Sequence, residues 1–541
     1  MSQLPPRETL NTHEVINQPV LKYESDLWLS DPALQTHAGA AGADAEVLGA
    51  YGEQMGAAGM RAAGQDANRH LPELRAFDEA GRRLDEVIYA SGYHALMKAG
   101  IAAGYTAMAW EGAAGGHASH AAMVYLSTQI APGICGPLSM TYAGIPALEA
   151  SDDLFASWVP KLVSRAYDQA VRPVSQKSGA MLALPMTEKQ SGSDLSSIST
   201  RAVRDGAAYR LRGHKYYCSA PMSDGFLTLA QTSAGLTAFL VPRWLEDRRN
   251  GIELLRLKNK LGNRANATAE IEFSDALAHR LGHEGAGLAT VAVTVQYTRL
   301  DAALAAPGLM RAALVQATQW SAQRRVRDQI LIDQPLMRQV LADLALDWEG
   351  ALALGLYAAR FFDATAEPDR AFARLAVALA KYLNTRLCPG VVCEAMEVMG
   401  GAGYIEDSGL PPLYREAPLN AIYDGSGNML CLDVLKMLRE MPQAGDVLSA
   451  ELGAAAGQIG AYDTALSDHI TRFPRLADEA QARWFTESLA TLLTASVLIR
   501  YAPEDVAAGY AMTRLGQPRG RTMGAIPQVD TSAILSRLGV R

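Results

Sequence analysis

Hydrophobic periodicity changes twice along this chain, and only a fold that accommodates both changes is open to it. Apolar residues recur at helical spacing up to about residue 180, alternate through about 181–283, and return to helical spacing from about 284. A period near 3.6 buries one stripe of a helix, and a period of two buries one face of a strand. The chain is therefore expected to fold as a helical unit, a strand unit and a second helical unit. In the first, "LDEVIYASGYHALMKAGI" predicts a helix, and "DDLFASWVPKLVSRAYD" opens on two aspartates suited to a helix start. In the second, "AAYRLRGHKYYCSA", "FLTLAQT", "LTAFLVP" and "TAEIEFSDA" are short β-rich runs divided by Gly, Asp and Asn, which predicts an antiparallel sheet or barrel. In the third, "TRLDAALAAPGLMRAALVQATQWSAQRR" and "PLMRQVLADLALDWEGALALGLYAARFFDA" are long enough for a bundle. A further helical segment runs over 444–541, with "QPRGRTMGAIPQ" read as a loop. The expected class is α+β, mainly helical, with domains at 1–180, 181–283, 284–443 and 444–541.

Bulk properties narrow the functions. A net charge of -8 argues against a uniformly basic surface, so nucleic acid would need a local patch. The five cysteines (Cys135, Cys218, Cys388, Cys393, Cys431) lack metal-ligand spacing and suit a reduced, cytoplasmic compartment. His117 and His120 in "GHASH" lie at i, i+3, but no adjacent carboxylate or cysteine completes a metal site, and none is expected. The opening "MSQLPPRETLNTHEV" has no basic region followed by an apolar stretch, so no signal peptide is expected. The most apolar region, "AAMVYLSTQIAPGICGPLSMTYAGIPALEA", is interrupted by Pro and Gly and reads as buried core, not a membrane span.

Four stretches carry candidate chemistry. "MTEKQSGSDLSS" supplies Thr187, Ser191, Gly192 and Ser193 in a turn whose hydroxyls and N–H groups suit the polar edge of a ring or a diphosphate; a Ser-rich surface turn is the plain alternative. It has neither the phosphate-loop pattern nor a nucleophile elbow. In "GHKYYCSAPMSD", strand alternation sends Tyr216 and Tyr217 to opposite faces and puts Tyr217 with Ser219, an aromatic and a hydroxyl able to cover a flat cofactor; a half-buried strand is the alternative. "MEVMGGAGYIED" ends a helix in Gly400, Gly401 and Gly403, which permits close backbone approach, and no strand precedes it as a dinucleotide fingerprint requires. "LYREAPLNAIYDGSGNMLCLDVLK" places Arg415, Asp424, Ser426 and Asn428 around a turn and a helix start. There Asp424 is either a base or a residue that caps a helix or starts a turn.

The order of these stretches, with "KNKLGNRANATAEIEF" between the second and third, resembles the acyl-CoA dehydrogenase superfamily, and within it the flavoproteins of the adaptive response to DNA alkylation. The likeness includes "NQPVLKYESDLWLSDPAL", "HLPELRAFDEAGRRLDEV" and "QPLMRQVL" and weakens beyond about 445. It implies a helical domain, a middle β-barrel and a helical bundle, with FAD between barrel and bundle and an added C-terminal helical domain. It puts Met186, Thr187 and Ser193 on the flavin side, Tyr217, Cys218 and Ser219 against the isoalloxazine, and Gly400, Gly401, Tyr423, Gly425, Ser426 and Asn428 on the cofactor. Arg324 and Gln334 match a segment that in relatives holds the adenosine of a FAD bound mainly by another subunit, and a homotetramer is expected. Arg299 matches an arginine near the substrate channel; a solvated helix-surface arginine is the alternative. This chain departs from the family pattern with Arg327 and Asp328 in place of Phe-Gly, and with Asp424 in place of the usual catalytic glutamate. Glu397 stands where many dehydrogenases have Gln.

The resemblance implies an FAD-dependent oxidoreductase acting on a CH–CH bond of a small-molecule substrate, an acyl-CoA being the first expectation, with low or retuned activity. Aspartate falls short of glutamate by about 1 Å, a displacement that costs on the order of 100-fold in rate. Superfamily members that oxidise nitroalkanes carry aspartate there, so a nitroalkane-like substrate with Asp424 as base is the alternative. A second alternative is a protective flavoprotein that binds double-stranded DNA through the C-terminal domain. That domain holds nine arginines, no lysine and ten acidic residues, a balance that predicts weak binding unless Arg514, Arg519, Arg521, Arg537 and Arg541 share a face.

Overall fold

A computed structural model describes residues 4–539 apart from 5, 23, 517–519 and 521. The helical N-terminal domain comprises α1 (Pro32–Ala40), α2 (Ala45–Gly56), α3 (Ala58–Arg69), α4 (Ser91–Ala103), α5 (Gly116–Thr128), α6 (Pro132–Leu148) and α7 (Asp152–Leu162), with a hairpin β1 (Glu73–Phe77) and β2 (Arg83–Ile88) between α3 and α4. Every residue of α5 is buried, so the apolar region that includes α5 and α6 is core, as the sequence predicts. Among the described residues, no helix is long and apolar enough to cross a membrane. His117 and His120 are core residues: His117 Nδ1 lies 2.7 Å from the Tyr142 hydroxyl, and His120 Nε2 lies 2.8 Å from Asp301.

The hairpin corrects one expectation. Residues 84–88 of "LDEVIYASGYHALMKAGI" form a strand, and the helix starts only at Ser91. Long-range contacts override the local pattern. Asp85 accepts from the Leu254 N–H at 2.8 Å, Arg83 donates to the Leu254 carbonyl at 3.0 Å, and Val87 joins the barrel core.

The strand region holds β3 (Leu182–Ala183), β4 (Arg201–Asp205), β5 (Ala208–Ser219), β6 (Gly225–Thr232), β7 (Gly235–Pro242), β8 (Ile252–Leu257) and β9 (Thr268–Leu281). The order β6-β4-β5-β9-β7 closes through a β6–β7 pairing into a barrel, with β3 added beside β6 and β8 beside β9. The barrel is not wholly antiparallel as expected, because β3 and β4 pair with β6 in parallel. Closure leaves no open edge around the ring.

The bundle is built on α8 (Gly287–Ser321), α9 (Pro335–Arg360) and α10 (Glu367–Met399), with a two-residue-strand hairpin, β10 (Arg325–Val326) and β11 (Gln329–Ile330), between α8 and α9. Short connections make successive helices antiparallel, so α8 and α10 run the same way. Buried Asn384 ties all three at one height, donating to the carbonyls of Ala303 (3.0 Å) and Ala351 (2.8 Å). Short helices α11 (Gly401–Tyr404) and α12 (Leu410–Glu416) precede α13 (Gly427–Glu440).

The C-terminal domain, α14 (Pro442–Gly453), α15 (Gly460–Arg472), α16 (Ala482–Tyr501), α17 (Glu504–Tyr510) and α18 (Thr531–Ser536), packs on α9 and α10. Buried charges on α9 fasten it. Arg514 pairs with Asp343 (2.7 Å) and Asp347 (2.8 Å), and Arg537 pairs with Glu349 (2.8 Å), which also faces His37 of α1 at 3.2 Å. Arg514 and Arg537 therefore do not lie on a basic outer face as the sequence allowed; Arg519, Arg521 and Arg541 fall outside the described residues. Replacing Asn384 with alanine is expected to cost about 1–3 kcal/mol through two lost buried hydrogen bonds and a small void, read by calorimetry as a lower Tm with the helical circular dichroism unchanged.

Candidate active site

The turn that follows β3 is held by a buried carboxylate. Glu188 accepts hydrogen bonds from Lys215 Nζ (2.9 Å), the Thr200 hydroxyl (2.5 Å) and N–H (3.1 Å), the Ser199 N–H (2.7 Å) and hydroxyl (2.8 Å), and the Gln190 amide (2.6 Å). Both side chains of the Glu188–Lys215 pair are fully buried. Burial pushes the Glu188 carboxyl up, but Lys215 and the donated hydrogen bonds outweigh it and hold the group well below the ordinary carboxylate value. Burial takes Lys215 down to about 8 despite its partner. Lys215 also donates to the Met186 carbonyl (3.3 Å), and the Thr187 carbonyl accepts from the Tyr216 N–H (2.8 Å). The first two predicted motifs are thus one assembly, with Met186 and Thr187 half-buried and Ser193 exposed at its rim.

Strand β5 departs from simple alternation where it meets this turn. Its register against β9 shifts between Lys215 and Cys218, which places two residues, Tyr216 and Tyr217, opposite one. The bulge brings both rings to one side, contrary to the expected opposite faces: they meet edge to face with centroids 5.0 Å apart, and Lys258 Nζ sits 3.1 Å from one centroid and 4.9 Å from the other. Tyr217 remains exposed, while the Cys218 thiol turns into the barrel core, where burial pushes it up. Only the Cys218 backbone is left to face a flat ligand. Ser219 shares a hydrogen bond with Thr268 at 3.0 Å, and Lys260 donates to the same threonine (2.9 Å) and to the Asn266 carbonyl (2.7 Å).

Across from the barrel, the loop before α13 is pinned from below. Lys381 on α10 donates to the carbonyls of Tyr423 and Gly425 (3.1 Å for the latter), and Arg299 on α8 donates to the Asp424 carbonyl at 2.9 Å and to Asp433 at 2.6 Å. Three successive carbonyls are thus held by two buried cations. Asp424 has φ +51°, a left-handed conformation that aspartate tolerates better than most residues. Its half-buried carboxylate takes no hydrogen bond from any described residue. Ser426, not Asp424, is the N-cap of α13, and its hydroxyl makes no capping bond. The turn-starter and cap readings of Asp424 therefore do not hold. Arg299 is buried, not a solvated surface residue, and it supports the loop. Tyr423 donates to Asn420 at 3.1 Å, and Asn428 accepts from Arg483 on α16 at 2.7 Å, so the added domain reaches the predicted cofactor loop.

Arg324, Gln334, Gly400 and Gly401 lie elsewhere. The end of α8, the start of α9 and the end of α10 share one end of the bundle, and 22 residues of α8 beyond Arg299 span about 33 Å at about 1.5 Å per residue. These four residues and the Asp424 loop sit at opposite reaches of one chain. Arg324 donates to the Asn17 carbonyl, and Gln334 to the Val326 carbonyl at 3.4 Å. Arg327 (φ +49°) and Asp328 (φ +64°) form the left-handed two-residue turn of the β10–β11 hairpin, and nothing in the structure explains why they stand in place of Phe-Gly.

The residues fit a bound FAD. Asn266, buried, has both amide atoms without a partner, beside the Ser219–Thr268–Lys260 chain. Gly400, at φ +62°, and Gly401 would each point a Cβ into open space, the α13 N-terminus lacks a side-chain cap, and Tyr217 offers an uncovered ring.

Family profiles divide the chain along the same lines: the adaptive response protein AidB N-terminal domain matches residues 17–169, the acyl-CoA dehydrogenase middle domain 183–276, and the acyl-CoA dehydrogenase C-terminal domain 285–438. The putative acyl-CoA dehydrogenase AidB of Escherichia coli (strain K12) is 41% identical over 537 residues, 98% of each chain. The chain belongs to the acyl-CoA dehydrogenase family, in its AidB branch. Acyl-CoA dehydrogenase family member 11 of Caenorhabditis elegans is 31% identical over 395 residues, 69% of this chain and 63% of that protein. Among solved structures, Caenorhabditis elegans ACDH-11 in complex with C11-CoA superposes with a TM-score of 0.84 at 24% identity, covering 98% of this chain and 97% of that one; the apo form of Bd2924 gives 0.81 at 28% identity, covering 90% and 99%. Like the rest of this family, the chain is an FAD-dependent flavoprotein.

Sequence reasoning missed Glu188, Lys215, Lys381 and Arg483. Glu188 sits inside the quoted "MTEKQSGSD", and an acid followed 27 residues later by a lysine on a strand is the only signal it offered. Because the folded state holds Glu188 deprotonated below the unfolded value of about 4.3, its contribution is complete above that pH and lost as pH falls below it. Glu188→Gln, which strands the buried Lys215 charge, is expected to destabilise by about 3–5 kcal/mol near neutrality. The gap to wild type should narrow as pH falls from about 5 to about 3, followed by urea unfolding.

Proposed function

We propose that this AidB-branch flavoprotein oxidises the CH–CH bond next to the carbonyl of an acyl-CoA thioester, with Asp424 as the base that removes the α-proton. The observation that carries this reading is an unpartnered carboxylate on a loop whose backbone is fixed by two buried cations. It stands at the chain position where the family's base is found. A base needs a free lone pair within hydrogen-bonding reach of the proton it takes, and backbone anchoring leaves Asp424 that lone pair. Bound FAD supplies the acceptor for the hydride from the β-carbon. Tyr217 and the Ser219–Thr268 pair would support the ring from the barrel side, Lys215 and Glu188 fix the turn that would border it, and Asn428, steadied by Arg483, would hold it from the α13 side. The thioester class is supported by the C11-CoA complex of ACDH-11. The short reach of aspartate favours a substrate that sits deep, or one more acidic than a fatty acyl-CoA, such as a nitroalkane.

A homotetramer is supported by exposed Tyr404, Ile405 and Tyr414, apolar side chains on α11, α12 and the loop between them. A role in the response to DNA alkylation draws its support from the AidB relationship. The duplex-binding version of that role is left with less of the basic surface it needs, because Arg514 and Arg537 are consumed in buried pairs.

Asp424→Ala is expected to keep the flavin spectrum of the wild type and to lose about 1–2 kcal/mol of stability at its left-handed backbone, while losing anaerobic bleaching by at least about 100-fold. Stopped-flow titration with butyryl-CoA, C11-CoA and nitroethane would check this. Undiminished bleaching in the variant would remove Asp424 from the chemistry, and bleaching by nitroethane alone would move the substrate class.

A further inference from the structure

We propose that Lys381 is the positioning residue of this site: its ammonium, through the carbonyls on either side of Asp424, sets the direction of the Asp424 carboxylate. The proposal rests on Asp424 being the base.

Two helices meet the loop at one height. Lys381 lies one turn before Asn384 on α10 and Arg299 one turn before Ala303 on α8; Asn384 and Ala303 are hydrogen-bonded to each other, and the two helices run the same way. The cations therefore stand side by side beneath residues 423–425. Their roles differ. Arg299 has a carboxylate partner, Asp433, and its hold on the Asp424 carbonyl is one bond among others. Lys381 is fully buried, with no carboxylate within ion-pair distance among the described residues, and its donors go to the carbonyls of Tyr423 and Gly425.

An ammonium out of water needs compensation, and here carbonyl dipoles and the nearby Asp424 charge provide it. Burial and the neighbouring Arg299 lower Lys381 while Asp424 raises it, and the balance lies at about 7. The charged groups facing Lys381 are Asp424 in the loop and Arg299 on α8, with Tyr423 beside it at 5.2 Å and Asp433 on α13 neutralising Arg299. With both flanking carbonyls drawn inward and φ at residue 424 held positive, the Asp424 side chain is directed away from the two helices. If Lys381 loses its charge, the neutral amine keeps two N–H donors but no longer holds the two carbonyls by charge-assisted bonds, so both contacts weaken together.

The test compares holoprotein of Lys381→Met, Lys381→Gln and Asp424→Ala with wild type. For Lys381→Met, the flavin spectrum should be unchanged, bleaching by butyryl-CoA or C11-CoA should fall about 100-fold with KM little altered, and amide exchange over residues 420–428 should quicken at least tenfold. Lys381→Gln, which keeps a donor, should fall between. The wild-type rate should decline as pH rises through the lysine's titration, and Lys381→Met should lose that alkaline limb. Wild-type loop exchange, corrected for intrinsic pH dependence, should loosen over the same range, a measurement that needs neither turnover nor a folded variant.

Lys381→Met with wild-type rate and wild-type loop exchange would overturn the proposal, as would wild-type loop exchange that does not respond to pH. Asp424→Ala that still bleaches the flavin would instead overturn the base assignment, leaving loop exchange to report on Lys381 alone.

Discussion

A charge removed from water must be met by another charge or by several dipoles, and that demand shapes this protein at every junction that matters. Glu188 and Lys215 meet it inside the barrel, where one carboxylate gathers six donors and fixes the turn beside the flavin-side strand. Asp343, Asp347 and Glu349 meet it on α9 by drawing in Arg514 and Arg537, which fastens the C-terminal domain to the bundle. Lys381 meets it with carbonyls of the loop that carries Asp424. The charged partners of Glu188, Asp343, Asp347 and Glu349 come from other elements of the chain, so satisfying the charge also fixes a tertiary relationship.

The candidate site follows from where these anchors fall. The barrel presents Tyr217 and Ser219 at a bulge, the bundle presents Asp424 on a pinned loop, and "KNKLGNRANATAEIEF" spans the gap. Lys260 bonds within the barrel and Glu416 of α12 accepts from the Asn263 N–H. Rigid elements hold every side chain that would touch a ring, and the one group that would do acid–base work is left without a partner. An unpaired carboxylate is what a base requires, since each hydrogen bond it accepted would lower its affinity for a proton.

Much of this was legible before the structure. Helical and strand periods marked where helical text gives way to strands and returns, because burial of a stripe or a face is a local property of spacing. Gly400 at the end of α10 was legible for the same reason, whereas the cap reading of Asp424 was not borne out, because the N-cap of α13 falls two residues later, at Ser426, without a side-chain capping bond. The exceptions share one cause. Residues 84–88 have a mixed pattern, and docking on β8 made them a strand. Tyr216 and Tyr217 follow strand alternation in sequence, and a one-residue register shift against β9 undid it. Arg514 and Arg537 look like surface charge until the acids of α9, more than 150 residues away, are placed beside them.

The sequence by itself determined the order of helix, barrel, helix and helical tail, and the residue types at the candidate-site loops, because propensity, capping and periodicity act between near neighbours. Only the tertiary structure decided which charges are buried together, which face of β5 carries its tyrosines, and that Asp424 is held by its backbone and free at its side chain. Those outcomes depend on desolvation and on partners distant in the chain, and neither is encoded at any one position.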